Sequence, residues 1–223
     1  MSLFNSRDNM MEQEGVIKYS LDFQHKALSV TDSILSDLNT CRSVMIANGL
    51  LGQDEHRYHG YGFGNLSIRH TDSTESSAFL ISGSQTGQLN SLAAKHLSCI
   101  THINVKQNNL CAYGDVEPSS ESMTHGVLYQ QNDQIKAVVH VHSPEIWQHA
   151  DCLGLAATAK DIPYGTPEMA IAVQKLSSTQ SSLPIIFVMK GHEDGVVAAG
   201  TTFAQCTHVL LETLHRAKII SES

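Results

Sequence analysis

The chain has few positively charged residues, and their scarcity limits the partners that it can bind. Only 14 lysines and arginines stand against 22 aspartates and glutamates among 223 residues, giving a formal net charge of -8 at pH 7. A nucleic-acid backbone is bound through clusters of Lys and Arg, and the sequence contains no basic stripe of that kind. We therefore expect no nucleic-acid partner.

Long apolar runs and a secretion signal are also missing. No run approaches the roughly 20 apolar residues that span a membrane. Residues 1–20 lack a charged segment followed by an apolar core, which a signal peptide requires. The five cysteines are scattered without a Cys-x-x-Cys pair, as expected for reduced thiols. We expect a soluble cytoplasmic protein without a membrane partner.

Turn residues and apolar periodicity predict one α/β domain. No repeat or low-complexity linker interrupts the chain, so we expect a flexible segment over residues 1–20 and one domain over residues 21–223. The hairpin-length spacing of the strands favours a mostly antiparallel central sheet covered by helices. The predicted strands include residues 66–69, 78–81, 103–105, 137–143, 185–189 and 196–199. The predicted helices cover residues 28–48, 119–132 and 144–151, and two more start at Thr166 and Thr202.

The most informative motif is His140-Val141-His142-Ser143, which follows a run of apolar residues. Side chains two residues apart on a strand project from one face, so both imidazoles can bind one metal ion. Zn2+ requires at least one further ligand, and catalysis requires an open position as well. His192, after Gly191, is a candidate for the third ligand. Taken alone, such a motif is more often a pair of ordinary hydrogen-bonded histidines than a metal site.

Five short motifs occur in a definite order along the chain. They are GNLSIR (64–69), SQTG (84–87), PSSE (118–121), HVHS (140–143) and GH (191–192). Glu121 taken alone has two interpretations, an acid/base near a metal or a helix-start acid that offsets the helix dipole. In this order the motifs resemble those of the class II aldolase/adducin family, over about residues 28–218. The resemblance implies that family's three-layer αβα fold.

The resemblance also implies a role for each matching residue. By similarity, His140, His142 and His192 are ligands of Zn2+, although this ligand set accepts other divalent ions. Glu121 is then the acid/base. Local physics agrees with a phosphate site, because glycines and a helix N-terminus present N–H groups to an anion. The residues expected to bind a substrate phosphate are Asn65, Thr86, Gly87, Ser119 and Ser120.

Several positions depart from the family pattern. Glu193 and Asp194 follow His192 where the family usually has Gly, and their negative charges would bind a second cation or repel a phosphate. Gly62 stands where aldolases often carry Thr, which weakens the expected phosphate binding. Residues 219–223 contain no Tyr, although aldolases place a C-terminal Tyr over the site of a neighbouring subunit. The usual proton donor is therefore absent from this position.

Residues 161–166 bear on whether the chain follows the aldolase-type or the epimerase-type pattern of the family. Asp161 lies where epimerase-like members of the family carry a catalytic Asp, whereas Glu121 is the aldolase-type acid/base. By similarity, Asp161 and Tyr164 reach toward the metal of a neighbouring chain. The resemblance therefore implies a homotetramer with sites at its subunit boundaries.

The expected activity is a Zn-dependent lyase reaction on a small-molecule substrate. Retro-aldol cleavage of a hydroxylated carbonyl compound would proceed through a metal-stabilised enediolate, and sugar phosphates are among the candidate substrates. A sugar-phosphate 4-epimerase or dehydratase using the same site is the first alternative, and Asp161 supports it. A non-catalytic adducin-like assembly module is the second alternative. The three histidines and Glu121 argue against that module, because a scaffold needs none of them.

Overall fold

The computed structural model describes residues 15–70, 77–180 and 182–222, and eleven strands and six α-helices lie within them. The strands are β1 (Ser20–His25), β2 (Gly52–Gln53), β3 (Gly62–Phe63), β4 (Asn65–Arg69), β5 (Phe79–Ser82), β6 (Leu97–Asn104), β7 (Asn109–Gly114), β8 (Ala137–His142), β9 (Ala156–Ala157), β10 (Ile185–Val188) and β11 (Gly195–Gly200). The helices are α1 (Asp32–Ala47), α2 (Ser122–Gln131), α3 (Pro144–Gln148), α4 (Ala150–Leu153), α5 (Pro167–Ser178) and α6 (Phe203–Ser221).

Nine of these strands form one large mixed sheet, in the spatial order β1-β7-β6-β5-β4-β8-β11-β10-β9. The pairs at the two edges, β1 with β7 and β9 with β10, are parallel, and the pairs between them are antiparallel. The predicted mostly antiparallel sheet is therefore wrong in this respect. The spacing between consecutive strands does not predict these two parallel pairs. Strand β1 pairs with β7, which lies far along the chain, and β9 is connected to β10 by a crossover that contains α5.

Helices cover both faces of the sheet, which gives the three αβα layers. Helices α2 and α5 pack on one face, and α1, α3, α4 and α6 cover the other. Strand β8 contributes to both cores, because Val138 joins the α2 and α5 side whereas Val139 and Val141 join the opposite side. By the two-residue period, His140 and His142 project from the same face as Val138. The sheet thus turns both histidines toward α2.

Hydroxyl caps define the beginnings of three helices. The side chains of Thr31, Thr166 and Thr202 each accept a hydrogen bond from a backbone N–H in the first turn. The cap at Thr31 explains why α1 starts later than residue 28. Helix α2 starts at Ser122, after the predicted opening at Ser119. The predicted helix over residues 144–151 is two short helices, α3 and α4.

The N-terminal segment enters the fold before β1 begins. Residues 1–14 lie outside the described part of the chain, so the predicted flexibility of residues 1–20 and the domain boundary stay predictions. Tyr19 is buried, and its hydroxyl lies 2.9 Å from the Ser119 carbonyl oxygen and 3.2 Å from that of Pro118. Residues directly before β1 therefore contact the loop that precedes α2.

Two expectations about the whole chain concern cysteines and membrane segments. All five cysteines lie in the described part, and each is a free thiol. None of the helices in residues 15–70, 77–180 and 182–222 is long and apolar enough to cross a membrane.

Replacing Gly191 with Ala should destabilise the protein, because the new Cβ would overlap the carbonyl oxygen of Ile162. Overpacking against backbone costs about 3 kcal/mol in free energy of unfolding. The matched control is Gly154→Ala, where φ is +69° and an added Cβ meets no atom within 4 Å. Only backbone strain of about 1 kcal/mol applies there. Urea unfolding measures both losses, and equal losses would show that the Ile162 contact is unimportant.

Candidate active site

Three buried histidines meet at one end of β8. His140 and His142 belong to β8, and His192 lies on the turn between β10 and β11. Because β11 pairs with β8 and places Gly195 opposite His142, the turn that carries His192 lies beside the strand histidines. One ligand atom from each histidine lies within 4.8 Å of the others, and no other group of His, Cys, Asp or Glu in the described residues has this arrangement. The structure therefore brings the three predicted ligands together.

The environment of His140 fits a metal ligand. Its Nδ1 donates to the carbonyl oxygen of Val196 at 3.2 Å, in the tautomer that this contact favours. Its Nε2 is buried and has no hydrogen-bond partner among the described residues. Such a nitrogen costs about 1–3 kcal/mol unless something binds it. A divalent metal ion bound to Nε2 would remove this cost.

Electrostatics keep the strand histidines in the form that binds metal. Burial lowers the pKa of His140 and His142 well below its ordinary value, and His192 lowers both further. Both imidazoles are therefore neutral at pH 7, and only neutral imidazole offers a lone pair to a metal. Together with His192, these two imidazoles form a three-nitrogen donor set that suits Zn2+ and other borderline divalent ions.

Glu121 and Tyr164 flank the third histidine. Oε1 of Glu121 lies 3.6 Å from Nδ1 of His192, and the carboxylate is only 1% exposed. The Thr124 hydroxyl donates to Oε2 of Glu121 at 3.0 Å, which orients the carboxylate. The Tyr164 ring stacks on the His192 imidazole, with centroids 4.3 Å apart and planes 18° apart. A buried carboxylate is thus held beside the histidines, where a proton acceptor would act.

Lys18 contributes a positive charge to this side of the site. Its Nζ donates to the Tyr164 carbonyl oxygen at 3.0 Å and lies 3.9 Å from the centre of the Tyr164 ring. Burial lowers the pKa of Lys18, and the nearby Glu121 carboxylate opposes that shift. Sequence reasoning missed Lys18, because it lies in a polar stretch without apolar periodicity.

The predicted phosphate ligands form a second pocket, of about 30 Å³. An added Cβ at Gly62 would lie 3.0 Å from the Gly87 Cα, so a larger residue at 62 would close this pocket. All five predicted residues line it, namely Asn65, Thr86, Gly87, Ser119 and Ser120.

Arg42 of α1 supports this pocket from behind. Its guanidinium is fully buried and donates to the carbonyl oxygens of Thr86, Gly87 and Leu89. Burial lowers the pKa of Arg42 to about 10, so it stays cationic at neutral pH. This positive charge favours an anion in the pocket. No sequence signal marks Arg42, because one Arg on an amphipathic helix usually faces solvent.

A larger cavity of about 960 Å³ opens beside His192. Its walls include Tyr58, Trp147, Lys160, Tyr164 and Asp194. The space is sufficient for a small polar substrate to approach the histidines. Asp161 is exposed on the segment that also carries the buried Tyr164, so only the second of these two predicted residues packs against the histidines.

Comparisons with known proteins agree with this geometry. Residues 44–220 match the family described as the class II aldolase and adducin N-terminal domain. A search of curated proteins found no match. Solved structures share the fold at low sequence identity, and aldolases are among them.

The first of these structures is an L-fuculose 1-phosphate aldolase, with 18% identity, a TM-score of 0.63 and 85% of each chain covered. The second is the L-fuculose-1-phosphate aldolase from Thermus thermophilus, with 16% identity, a TM-score of 0.61, and coverage of 86% of this chain and 94% of that one. The third is a sugar-phosphate aldolase from Thermotoga maritima, with 14% identity, a TM-score of 0.62, and coverage of 85% and 94%.

Purified protein should bind about one Zn2+ per chain, because one ligand atom from each of three buried histidines lies within 4.8 Å of the others. His140→Ala should abolish this binding, since it removes a ligand that no described neighbour replaces. Atomic absorption and titration against a chromophoric chelator measure metal content and affinity. His208→Ala, which changes an exposed histidine on α6, is the matched control and should bind like the wild type. Wild-type protein that takes up no Zn2+ would contradict the metal site.

The same titration should show a pH dependence shifted toward acid. Protons compete with metal for imidazole, and an ordinary histidine has a pKa of about 6.5. Because burial lowers the pKa of His140 and His142, protons should compete only below that value. Zn2+ affinity should stay nearly constant down to about pH 6.5 and decline in more acidic solution. A decline that is already complete at that pH would show that the histidines are solvated.

Proposed function

The chain belongs to the class II aldolase and adducin family, and we propose that it is a Zn-dependent lyase that catalyses retro-aldol cleavage of a hydroxylated carbonyl compound. The proposal rests chiefly on one observation: a buried carboxylate oxygen of Glu121 lies 3.6 Å from a histidine of the three-histidine cluster. Metal ligands and an acid/base group thus meet at one point. That combination suits proton transfer at a substrate whose oxygens bind the metal.

Each component of the site would have a distinct task. His140, His142 and His192 would hold the metal, which when bound supplies Lewis-acid stabilisation of negative charge on the substrate oxygens. Glu121 would accept or return a proton at the substrate, and its hydrogen bond from Thr124 fixes the direction of its carboxylate.

The small pocket supports a phosphorylated substrate. Glycine backbones and the serines before α2 surround it, and buried Arg42 adds a positive charge behind the Thr86 and Gly87 carbonyls. We therefore propose a sugar phosphate as the substrate class and a place in carbohydrate metabolism. The non-catalytic alternative is disfavoured, because a structural module would retain a buried His and Glu cluster at a cost in stability.

Glu121→Gln should reduce turnover by about two to four orders of magnitude, because the amide keeps the shape of the side chain but cannot accept the proton. Its metal content should stay near that of the wild type. Cleavage of a panel of sugar phosphates and simple hydroxy aldehydes first identifies a substrate, and steady-state kinetics then compare the variants. Glu212→Gln is the matched control, since it makes the same chemical change at an exposed position on α6.

The opposite result would favour the other enzyme class. If Asp161→Asn abolishes turnover and Glu121→Gln has little effect, the reaction is of the epimerase type. Assays for change in configuration at a substrate carbon would then replace the cleavage assay. If the wild type binds metal but neither it nor the variants turn over any compound of the panel, the substrate lies outside the panel.

We further propose that the protein is a homotetramer. The cavity beside His192 is open to solvent, and a neighbouring chain would wall it and bring exposed Asp161 toward a site. Light scattering at micromolar concentration should therefore give a mass near four times the 24.3 kDa of one chain. A fully active protein with the mass of a single chain would show that the site needs no neighbour.

A further inference from the structure

Tyr58 and Asp194 form a hydrogen-bonded pair with unusual backbone conformations. The Tyr58 hydroxyl donates to Oδ2 of Asp194 at 2.7 Å. Both residues have positive φ, 48° and 59°, and His59 has φ of 56°. Each such conformation costs a non-glycine residue about 1 kcal/mol or more, so surrounding contacts must hold it. Three of the five described non-glycine residues with positive φ thus lie at this hydrogen bond or next to it.

Tyr58 and its neighbour Arg57 contact the segment that carries His142. The Tyr58 ring packs edge-on against the His142 imidazole, with centroids 4.7 Å apart and planes at 71°. Arg57 donates to the His142 carbonyl oxygen at 3.3 Å, to the Tyr58 hydroxyl at 2.8 Å and to the Gly49 carbonyl oxygen at 2.7 Å. The loop is therefore fixed to both the backbone and the ring of His142.

Asp194 connects the same loop to the turn that carries His192. It lies two residues after His192, and its backbone carbonyl oxygen accepts a hydrogen bond from the Ser143 N–H at 2.8 Å. One residue thus contacts Tyr58 through its side chain and the end of β8 through its backbone. Without the Tyr58 bond, the backbone contacts of this turn would remain, but its acidic side chain would lose a partner that fixes its direction.

We propose that Tyr58 is a positioning residue of the metal centre, whose hydroxyl, bonded to Asp194 and Arg57, holds His142 and His192 at the separation that a metal ion requires. The inference rests on the metal site of the proposed function, and it gives a positioning role to a residue that is not itself a metal ligand. Burial and Asp194 raise the pKa of Tyr58, so the hydroxyl stays protonated and donates throughout the neutral range. Partners of this kind typically change metal affinity about 10- to 100-fold when they are removed.

The test is Zn2+ affinity, measured by chelator competition, which requires no knowledge of the substrate. Tyr58→Phe removes one oxygen atom, keeps the ring against His142, and should weaken Zn2+ binding at least about 10-fold. Tyr61→Phe is the matched control, because Tyr61 lies in the same loop and its hydroxyl bonds to no described residue. It should bind like the wild type. Asp194→Asn keeps an oxygen that accepts the Tyr58 proton and should lose less affinity than Tyr58→Phe.

A second readout separates positioning from general stability. The visible spectrum of the Co2+-substituted protein reports ligand geometry, and it should change in Tyr58→Phe but not in Tyr61→Phe. Thermal unfolding of the metal-free forms should be similar in all variants. Wild-type and Tyr58→Phe proteins with equal Zn2+ affinity and equal Co2+ spectra would overturn the inference and leave the metal site intact. A wild type that binds no metal would instead overturn the proposed function itself.

Discussion

The site depends on the antiparallel pairing of β8 with β11. This pairing places Gly195 opposite His142, so the turn before β11 carries His192 to the end of the strand that holds the other two histidines. The two-residue period of β8 then turns His140 and His142 toward α2, at whose start Glu121 lies. Two local rules, strand alternation and a short turn, thus assemble four polar groups from three separate segments of the chain.

Burying these groups is unfavourable, and close backbone contacts resist their separation. Gly191 is the clearest case, because the Ile162 carbonyl occupies the space that any side chain there would need. Gly62 and Gly87 approach each other in the same way beside the small pocket. Arg42 then holds the Thr86 loop through its carbonyl oxygens. Glycine contacts and one buried cation therefore fix the loops that the sheet alone leaves undetermined.

The sequence could predict the residues whose chemistry is visible in a short motif. The histidine cluster, the position of Glu121 beside it and the residues of the small pocket follow from five motifs in order, and the helix starts at Thr166 and Thr202 follow from capping. It could not predict the parallel edge strands, because their partners lie far along the chain. The sequence also could not predict the roles of Lys18 and Arg42, because those roles depend on contacts with residues far away in the chain.

One departure from the family pattern, the acidic pair after His192, lies in the wall of the large cavity. Asp194, which lies two residues after His192, accepts a hydrogen bond from Tyr58 and lines the large cavity. This hydrogen bond holds the Asp194 carboxylate in the wall of the site. Among the described residues, Asp194 belongs to no second group of metal ligands. The three histidines therefore form their cluster without this carboxylate.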